Sequence, residues 1–471
     1  MTSLNDSRIL VVGAGLMGAG IAQVAAQAGH QVALFDARAG AAETAKSKLS
    51  GTLEGLVAKG KLGADAAQAA LARITPVQAL TTADLVIEAI VENLDIKRAL
   101  FVELEALLPA DAVIATNTSS ISVTALARGM QKPERLVGMH FFNPVPLMKL
   151  VEVVSGLGTA PEVAQAVFEL AGRWGKTAVH TRSTPGFIVN RIARPYYAET
   201  LMLLQDRAAE PELIDAVLRA AGFRMGPCEL MDLIGHDTNF AVTNSVFAAN
   251  FFDRRFTPSL VQQELVDAGF LGRKSGRGFY RYPEGAPALP AVSIALPHAS
   301  RVVVHGRGAL AERFASNVPE AVRALDSDWV GLEIDGRQLR LTDGRRARDF
   351  GVGVAVFDLP LAPSGDIAFA GDAHTARWLT RLGLVPRAMA DLPGLVVART
   401  IAMLINEAAD AVAQGVCDED GADAAMKLGV NYPAGPFEWL AFWGAAPVVA
   451  LLDRLDQHYR GERYRVSPYL R

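Results

Sequence analysis

The chain has 471 residues, of which 51% are hydrophobic and 20% are charged, so it is a folded protein and not a disordered one. At about 150 residues per domain, this length predicts roughly three domains. The 46 Lys and Arg residues and the 50 Asp and Glu residues leave a net charge of -4, which gives no general attraction to nucleic acid or to an anionic membrane. Any anionic ligand must therefore be bound by local cationic groups.

The cysteine content and the start of the chain bear on its compartment. Cys228 and Cys417 are the only cysteines, which excludes a disulfide framework and a cysteine-rich zinc module, and we expect no metal site. Asn5 and Asp6 stand where a signal peptide would carry basic residues, and no apolar run approaches the roughly 20 residues needed to cross a bilayer. We therefore expect a cytoplasmic protein in a reducing environment.

The first 180 residues alternate strand-like and helix-like segments, and most of the strands are almost continuously apolar. This pattern predicts an α/β domain in which helices cover both faces of a parallel sheet, a doubly wound arrangement. The predicted strands are residues 8–12, 31–36, 84–89, 112–115, 136–141 and 150–154.

Helical periodicity with few strand signals follows Thr184, as in residues 198–204 and 211–221. The sequence therefore predicts an all-helical domain over residues 184–282, which closes with a glycine-rich basic stretch at 272–280. Three prolines beyond that stretch mark a linker.

Part of the helical domain recurs later in the chain. Residues 391–399 (Asp-Leu-Pro-Gly-Leu-Val-Val-Ala-Arg) resemble residues 183–191 (Ser-Thr-Pro-Gly-Phe-Ile-Val-Asn-Arg), and residues 434–438 resemble residues 225–229. The prolines of the first pair are 208 positions apart and those of the second pair 209. The sequence therefore predicts a second copy of the helical domain over residues 391–471.

Residues 291–390, between the two copies, again look α/β. Residues 305–311 place G-x-G-x-x-A after a predicted strand, but so short a pattern is more typical of a decayed dinucleotide-fold remnant than of a working cofactor site. The predicted domains are residues 1–183, 184–282, 291–390 and 391–471.

Gly13, Gly15 and Gly18 form G-x-G-x-x-G between a strand and a helix, which is the pattern of a Rossmann-type dinucleotide site. Gly13 permits a tight turn, Gly15 lets the backbone approach a pyrophosphate, and Gly18 lets the helix pack closely on the strand. The first turn of the helix, which begins with Leu16 and Met17, offers free N–H groups to the phosphates.

Asp36 ends the second predicted strand, where a carboxylate can accept hydrogen bonds from an adenosine ribose and would repel a 2′-phosphate. The sequence therefore predicts NAD rather than NADP as cofactor, although Arg38 lies close by and offers a cation.

Two further groups of polar residues lie in or near predicted strands. The run Asn117-Thr118-Ser119-Ser120 follows a strand at the edge where open α/β sheets bind ligands, although Asn and Ser also serve as helix caps. Glu152 lies inside an apolar strand, where a carboxylate is costly unless it is paired, and the nearest candidate partner is His140. A lone histidine is more often structural, but a histidine with a buried carboxylate beside a dinucleotide site has the pattern of a general base and its orienting acid.

Four ordered motifs within residues 8–282 resemble those of the L-3-hydroxyacyl-CoA dehydrogenases. They are the glycine motif, the Asn-Thr-Ser-Ser run, His-Phe-Phe-Asn-Pro at 140–144 and Thr-Pro-Gly-Phe-Ile-Val-Asn-Arg at 184–191. The long form with a second helical copy is similar to the dehydrogenases that act on 3-hydroxyadipyl-CoA in bacterial phenylacetate breakdown.

The resemblance implies NAD-dependent oxidation of the 3-hydroxyl of a (3S)-3-hydroxyacyl-CoA. It implies that His140 takes the hydroxyl proton and that Glu152 stabilises the imidazolium so formed. It further implies that Ser119 and Asn190 hydrogen-bond the reacting oxygens. Additional cofactor contacts are implied at Glu92, Lys97, Asn143 and Lys274.

CoA is a polyanion, and four lysines follow Asp36 in the helical segment that holds its nucleotide end in this family: Lys46, Lys48, Lys59 and Lys61. We expect Lys61 to contact CoA, although any one of the four could equally belong to a solvated charged face. Arg194 lies one helical turn from Asn190, so it could bind the distal carboxylate of an adipyl chain or serve as a helix-end or interface residue.

The second copy departs from the catalytic pattern, because Ala398 stands at the position of Asn190 and neither the Asn-Thr-Ser-Ser nor the His-Phe-Phe-Asn-Pro run recurs. We therefore expect one active site per chain. Because shorter relatives pair through the helical domain, we expect the chain to be a homodimer or its two copies to pack as an internal pseudo-dimer.

Three alternatives remain open at this level. The same reaction could serve 3-hydroxybutyryl-CoA or general fatty-acid β-oxidation. A non-catalytic NAD-binding or structural protein would be marked by decay of His140 or Glu152, and both are present. The 6-phosphogluconate-like dehydrogenases use a lysine on the long helix of the second domain, but no lysine occurs between Lys176 and Lys274.

Overall fold

The computed structural model describes residues 4–292 and 297–471. The chain forms two compact units: the first unit is Met1–Arg191 with Gln414–Val430, and the second unit is Ile192–Ala413 with Asn431–Arg471. The prediction for the start of the chain rests partly on residues 1–3, and the predicted segment 291–390 includes residues 293–296; these seven positions lie outside the described residues.

The elements of the first 192 residues alternate as the sequence pattern predicts. The strands are β1 (Ile9–Val12), β2 (Val32–Phe35), β3 (Ile74–Val77), β4 (Leu85–Glu88), β5 (Val113–Thr116), β6 (Leu136–Phe141), β7 (Leu150–Ser155) and β8 (Thr177–Arg182). The helices are α1 (Leu16–Gln27), α2 (Ala41–Ala58), α3 (Ala64–Ala72), α4 (Leu94–Leu107), α5 (Val123–Leu126), α6 (Pro161–Arg173) and α7 (Val189–Ile192).

The remaining residues form helices on both sides of a second group of strands. The helices are α8 (Arg194–Gln205), α9 (Pro211–Ala220), α10 (Pro227–Ile234), α11 (His236–Ala249), α12 (Leu260–Asp267), α13 (Ala309–Asn317), α14 (Ala373–Ala376), α15 (Val397–Ala413), α16 (Glu419–Gly429), α17 (Pro436–Trp443) and α18 (Ala445–Tyr459). The strands are β9 (Val302–His305), β10 (Val322–Ala324), β11 (Gly331–Ile334), β12 (Arg337–Leu341), β13 (Val354–Phe357), β14 (Gly365–Gly371) and β15 (Leu384–Ala388). None of the described helices is long and apolar enough to span a membrane.

The first unit contains an eight-stranded sheet in the order β3-β2-β1-β4-β5-β6-β7-β8. Its core lies on both faces, because Ile9 and Val11 of β1 pack with α1 on one side while Leu10 and Val12 pack with α4 on the other. This arrangement confirms the predicted doubly wound α/β domain.

The sheet is not wholly parallel, which corrects the prediction on one point. Strands β6 and β7 pair antiparallel, and every other neighbouring pair is parallel. The eight residues that join them are too few for a parallel crossover, which needs a dozen or more. The sequence pattern also missed β3 and β8, both at the edges of the sheet, where burial on one side only breaks the continuous apolar run.

The second unit contains a seven-stranded sheet in the order β10-β9-β11-β12-β13-β14-β15. Three of its pairings are parallel and three are antiparallel, so this is a mixed sheet. Helices α8 and α15, which occupy equivalent places in the sequence repeat, pack against each other in this unit.

The segment that begins each helical copy has the same backbone conformation in both copies. Gly186 and Phe187 have positive φ values of 79° and 47°, and Gly394 and Leu395 have 72° and 50°. In each copy the glycine carbonyl accepts a hydrogen bond at 3.1 Å from the arginine N–H five residues later, Arg191 and Arg399. The repeat found in the sequence is thus a repeat of structure at this turn.

The glycine-rich basic stretch at 272–280 is held to the helices of the second unit by the buried carboxylate of Asp232. This group accepts hydrogen bonds from the N–H of Phe279 at 2.9 Å and of Tyr280 at 3.0 Å. A side chain at Gly272 or Gly278 would collide with Asp232, so both glycines are required by close approach. The stretch therefore has a structural role in closing the helical copy.

Candidate active site

The glycine motif forms the expected turn between β1 and α1. Gly13 has φ of 109°, and a side chain there would collide with the carbonyl of Ala89, while a side chain at Gly18 would collide with the carbonyl of Gly13. Gly15 has open space around the position of a Cβ atom, and α1 begins at Leu16 without a side-chain cap. Room beside Gly15 and unsatisfied N–H groups at a helix start fit the pyrophosphate of a dinucleotide.

Asp36 follows β2 and fixes this turn. Its Oδ2 accepts a hydrogen bond from the N–H of Ala14 at 2.8 Å, and its Oδ1 accepts one from the N–H of Arg38 at 2.9 Å. Partial burial opposes ionisation, but hydrogen bonds from Arg38 and Ala14 outweigh it and hold the pKa of Asp36 below its ordinary value. The ionised carboxylate therefore lies next to the glycine turn, together with the exposed guanidinium of Arg38.

A cavity of about 930 Å³ opens beside the glycine turn in the first unit. Leu16 and Leu147 give it apolar walls, Arg38 and Lys48 give it positive charge, and Asn143 also lines it. Of the four lysines that follow Asp36, Lys48 is the one in the wall of this cavity. Lys61 is exposed just beyond the end of α2, and its contact with CoA stays a prediction.

The Asn-Thr-Ser-Ser run is organised by Glu92. Its Oε1 accepts hydrogen bonds from the Thr118 hydroxyl at 2.5 Å and from the N–H groups of Ser119 and Ser120 at 3.1 and 3.2 Å. Burial opposes ionisation of Glu92, but the nearby Lys97 ammonium and these donors lower its pKa overall. Glu92 therefore holds the loop that carries Ser119.

Lys97 is buried and sits between two carboxylates. Its Nζ lies 2.6 Å from Glu88 Oε1 and 3.1 Å from Glu92 Oε2. Glu88 also accepts hydrogen bonds from the Thr116 hydroxyl at 2.6 Å and the Ile90 N–H at 2.7 Å. Sequence reasoning missed Glu88, although an acid that ends the apolar strand β4 carries the same signal that identified Glu152.

His140 and Glu152 form a buried pair across the β6–β7 hairpin. The strand register places the two residues directly opposite each other, and His140 Nδ1 lies 2.6 Å from Glu152 Oε2. Because a carboxylate only accepts, Nδ1 is the protonated nitrogen and Nε2 keeps its lone pair. The imidazole also contacts Phe142 and Phe187, with ring centroids 4.5 and 5.8 Å away.

Hydrogen bonds join this pair to the other predicted site residues. The second oxygen of Glu152, Oε1, accepts from the N–H of Ile188 at 3.0 Å and of Val189 at 2.9 Å. The next residue, Asn190, donates from Nδ2 to the carbonyl of Ser119 at 3.4 Å. His140, Glu152, Ser119 and Asn190 therefore belong to one connected site within the first unit.

The second sheet lacks this pair at the corresponding ladder positions. Asp358, just after β13, donates its N–H to the carbonyl of Ala368 at 2.9 Å. Ala368 in turn pairs with Arg387, which is 208 positions after Val179, the strand partner of the first copy's glutamate. Asp358 and Ala368 thus stand where the first copy has its histidine and its glutamate.

Asp358 has become a structural group. Its carboxylate accepts hydrogen bonds from the N–H groups of Val396, Val397 and Ala398 at 2.9, 2.6 and 2.8 Å. Burial raises the pKa of Asp358 to about 6, although these backbone donors favour its ionised form. Asp358 therefore binds the turn of the second copy directly. Among the described residues, no histidine takes part in this contact.

The glycine pattern in the second sheet also differs from the first. The N–H of Gly306 bonds to Ala324 as that of Gly13 bonds to Phe35, so Leu325 stands at the place of Asp36. The acid predicted to bind the ribose is thus replaced by a leucine. The interpretation of this segment as a decayed dinucleotide-fold remnant stays a prediction.

Two predicted site residues lie in the second unit. Arg194 is buried, donates to the Thr243 hydroxyl at 3.2 Å and stacks over the ring of Tyr197, and burial lowers its pKa. Lys274 is half-exposed and pairs with Asp237 at 2.7 Å, which lowers the pKa of that carboxyl. Their contacts with substrate and cofactor stay predictions.

The model of the 3-hydroxyacyl-CoA dehydrogenase NAD-binding domain matches residues 8–184, and that of the C-terminal domain matches residues 186–282 and 394–471. The chain is 46% identical, over 99% of its length and 97% of the relative's, to 3-hydroxyadipyl-CoA dehydrogenase of Escherichia coli K12.

Two further similarities differ in extent. A probable 3-hydroxybutyryl-CoA dehydrogenase of Deinococcus radiodurans is 44% identical over 58% of this chain and 99% of its own. A crystal structure described as 3-hydroxybutyryl-CoA dehydrogenase from Escherichia coli K12 has a TM-score of 0.89 and 44% identity, covering 98% of this chain and 97% of that one. On the family models and these relatives, the chain belongs to the 3-hydroxyacyl-CoA dehydrogenase family and is an NAD-dependent oxidoreductase.

Proposed function

We propose that the chain oxidises the 3-hydroxyl of (3S)-3-hydroxyadipyl-CoA to 3-oxoadipyl-CoA, a step in phenylacetate degradation. The observation that supports the chemistry most directly is the buried His140–Glu152 pair in the same unit as the glycine turn. The adipyl substrate rests on the relative of that name, which matches the chain over nearly its whole length.

The residues of the site supply the proton chemistry. His140 Nε2 removes the proton of the 3-hydroxyl. NAD held at the glycine turn would supply the acceptor for the hydride that leaves C3. Glu152 holds the Nδ1 proton and stabilises the positive charge that develops on the ring. Ser119 and Asn190 hydrogen-bond the oxygen as it changes from hydroxyl to carbonyl, which orients C3 for transfer.

We assign the cofactor contacts to the glycine turn and to the residues near it. The proposed positions are Gly13, Gly15, Leu16, Met17, Gly18, Asp36, Glu92, Lys97, Asn143 and Lys274. Lys97 is already engaged by two carboxylates, so it contributes by holding Glu92 and the serine loop. Asp36 favours NAD over NADP through its charge, while Arg38 weakens that discrimination.

The two helical copies act as an internal pseudo-dimer within a cytoplasmic enzyme. The packing of α8 on α15, which are equivalent in the repeat, supports this arrangement. The four segments predicted from the sequence are the proposed domains, with Lys61 as a CoA contact in the first of them.

A panel of CoA thioesters tests the proposal. Initial rates of NADH formation are compared for 3-hydroxyadipyl-CoA, 3-hydroxybutyryl-CoA and a longer unbranched 3-hydroxyacyl-CoA, each with NAD and with NADP. The proposal expects the highest kcat/KM for the adipyl thioester with NAD. A preference for 3-hydroxybutyryl-CoA would support the second candidate, which the description of the similar crystal structure favours.

A further inference from the structure

Three charged side chains of the first unit, Glu88, Glu92 and Lys97, form an ionic cluster at the carboxyl end of β4, here named the β4 cluster. Lys97 Nζ lies 2.6 Å from Glu88 Oε1 and 3.1 Å from Glu92 Oε2. The Glu88 and Lys97 side chains are buried, whereas 37% of the Glu92 side chain is exposed. Glu92 is therefore the member that faces the surface of the site, and Glu88 lies behind it.

The β4 cluster has an excess of negative charge. Every hydrogen-bond partner of the Glu88 carboxylate is a donor, since Lys97 and the Ile90 N–H bond to Oε1 and the Thr116 hydroxyl bonds to Oε2. The Thr116 oxygen accepts the N–H of Thr118 at 3.2 Å, which leaves its hydrogen for Glu88. The other carboxylate is held in its ionised form by donors of its own. Two carboxylates share one ammonium, so one negative charge is left over.

This charge lies between the two places that we assign to the ends of the nicotinamide half of the cofactor. On one side, the backbone directly after β4 touches the glycine turn, because a Cβ atom at Gly13 would collide with the carbonyl of Ala89. On the other side, Glu92 accepts the N–H of Ser119 at 3.1 Å. The glycine turn is the proposed pyrophosphate site and Ser119 is proposed to bind the reacting oxygen. The part of NAD that joins these two places must therefore pass the β4 cluster.

The charge of that part of NAD depends on its oxidation state. The nicotinamide ring carries one positive charge in NAD+ and none in NADH. A negative charge in a partly buried site attracts a cation strongly, because little water screens it, and has no comparable effect on a neutral ring. The β4 cluster therefore distinguishes two molecules that are otherwise almost identical in shape.

We propose that the β4 cluster selects the oxidised cofactor, and that the buried Glu88 is the residue that supplies the excess charge. The inference rests on the proposed function, because it uses the proposed places of the pyrophosphate and of hydride transfer. In that reaction two electrons reach the ring with the hydride, and the proton goes to His140. The positive charge thereby moves from the ring to the imidazolium, which Glu152 stabilises. The ring then loses its attraction to the cluster, which favours release of NADH.

Glu88→Gln tests the proposal, because it removes the excess charge and keeps the shape of the buried group. The amide oxygen can accept from Lys97 and from the Ile90 N–H, while the amide nitrogen can donate to the Thr116 oxygen. Dissociation constants are measured without substrate, for NADH from its fluorescence and for NAD+ by displacement of NADH. Activity therefore does not enter the measurement.

In Glu88→Gln, the Kd of NAD+ is expected to rise about tenfold and that of NADH less than about twofold. The ratio of the two Kd values is the decisive quantity, since a merely structural role would weaken both cofactors alike. Equal rises in the two Kd values, or no rise in either, would overturn the proposal. If this variant does not fold, Glu92→Gln removes the same charge from the more exposed acid and is held to the same ratio.

Two further variants separate charge from structure. Thr116→Val removes a hydrogen bond to Glu88 without a change of charge and is the matched control, in which the ratio is expected to stay at the wild-type value. Glu88→Gln combined with Lys97→Met removes one charge of each sign, so the ratio is expected to return toward the wild-type value. A ratio that stays as high as in the single variant would contradict the proposal.

Failure of the proposed function gives a different result. A wild-type enzyme that binds NAD+ and NADH but does not oxidise 3-hydroxyadipyl-CoA would refute the proposed substrate, and the ratio in Glu88→Gln would still decide the role of the β4 cluster. Oxidation of the thioester together with an unchanged ratio would overturn the selection of NAD+ alone.

Discussion

In the proposed mechanism, the chemistry depends on one histidine and on the carboxylate that orients it. Glu152 makes three hydrogen bonds, one to His140 and two to the N–H groups of Ile188 and Val189. The same side chain therefore fixes the tautomer of the base and the turn that carries Asn190. A change at Glu152 should alter both functions together.

Replacing Glu152 with Gln is expected to lower kcat by roughly 100-fold or more, because an amide cannot stabilise an imidazolium and would present N–H donors to groups that need an acceptor. The loss of acceptors for buried N–H groups should also lower the melting temperature. Steady-state kinetics and thermal unfolding measure the two effects. A variant with wild-type kcat would remove Glu152 from the mechanism.

Asp36 is the residue that we propose sets the choice between NAD and NADP. Asp36→Asn keeps the size of the side chain but removes the charge that pairs with the Arg38 guanidinium and that we propose binds the ribose. We expect KM for NAD to rise about tenfold and the NADP to NAD ratio of kcat/KM to rise by a similar factor. Rates with both cofactors measure this, with Arg38→Gln as the comparison. If NADP use does not improve, the specificity lies elsewhere.

The sequence predicted these residues unevenly, for a physical reason. Glu152 and His140 could be paired because both lie in apolar strands joined by a short turn. Asp358 was not foreseen, because its partners are backbone N–H groups that no side-chain pattern reveals. Hydrogen bonds from backbone N–H groups are therefore the contacts of a site that a sequence predicts least well.

Among the elements, α16 has an unexpected place. It belongs to the second helical copy in sequence, yet it packs on β7 and β8 of the first unit. Gln414, just before it, bonds to Arg191 at 2.9 Å, and Val416 accepts the N–H of Arg182 at 3.0 Å. The second copy thereby supports the strand that holds Glu152.

Gly429, at the end of α16, tests this support. A Cβ atom there would lie 2.7 Å from a methyl group of Leu150 and 2.9 Å from Cγ2 of Val189, so a larger residue must displace the turn next to Asn190. Gly429→Leu is expected to lower kcat roughly ten- to hundredfold, since small misplacements in a site cost this much. The affinity for NAD should change little.

Gly172→Leu is the matched control, because Gly172 lies on a helix of the same unit with no atom near its Cβ position. It should keep kcat at the wild-type value. Equal kinetics for the two variants would show that α16 does not position the site.

Elements at the edges were the hardest to predict. Strands β3 and β8 have one exposed side and therefore mix polar with apolar residues. The β6–β7 hairpin could have been recognised from the shortness of its connection, which excludes a parallel crossover. The buried central strands of the first sheet, by contrast, were all found, because burial on both faces leaves a continuous apolar run.

At the scale of the whole molecule, each of the two copies contributes a helix that packs on the sheet of the other copy. Helix α16 packs on β7 in the first unit, and its equivalent α9 packs on β14 in the second. Each helical copy therefore covers the sheet that the other copy follows in sequence. The second copy therefore lengthens the chain by this exchange of helices, and we propose no second active site in it.

A chain of residues 1–290 is expected to dimerise, because β7 would lose its cover by α16 and the equivalent α9 of a second chain could replace it. Relatives of about this length exist, so the fragment has the parts of a complete protein. Light scattering measures the mass and NADH formation the activity. A monomeric fragment with full activity would contradict the exchange.

We propose that each chain has one catalytic site and that His140 is its base. His140→Ala tests it most directly, with turnover of a (3S)-3-hydroxyacyl-CoA and binding of NAD measured on the same preparation. We predict that turnover falls by about 1,000-fold or more while the affinity for NAD stays near the wild-type value. Residual turnover near half of the wild-type rate would reveal a second working site, and full activity would remove His140 from the mechanism.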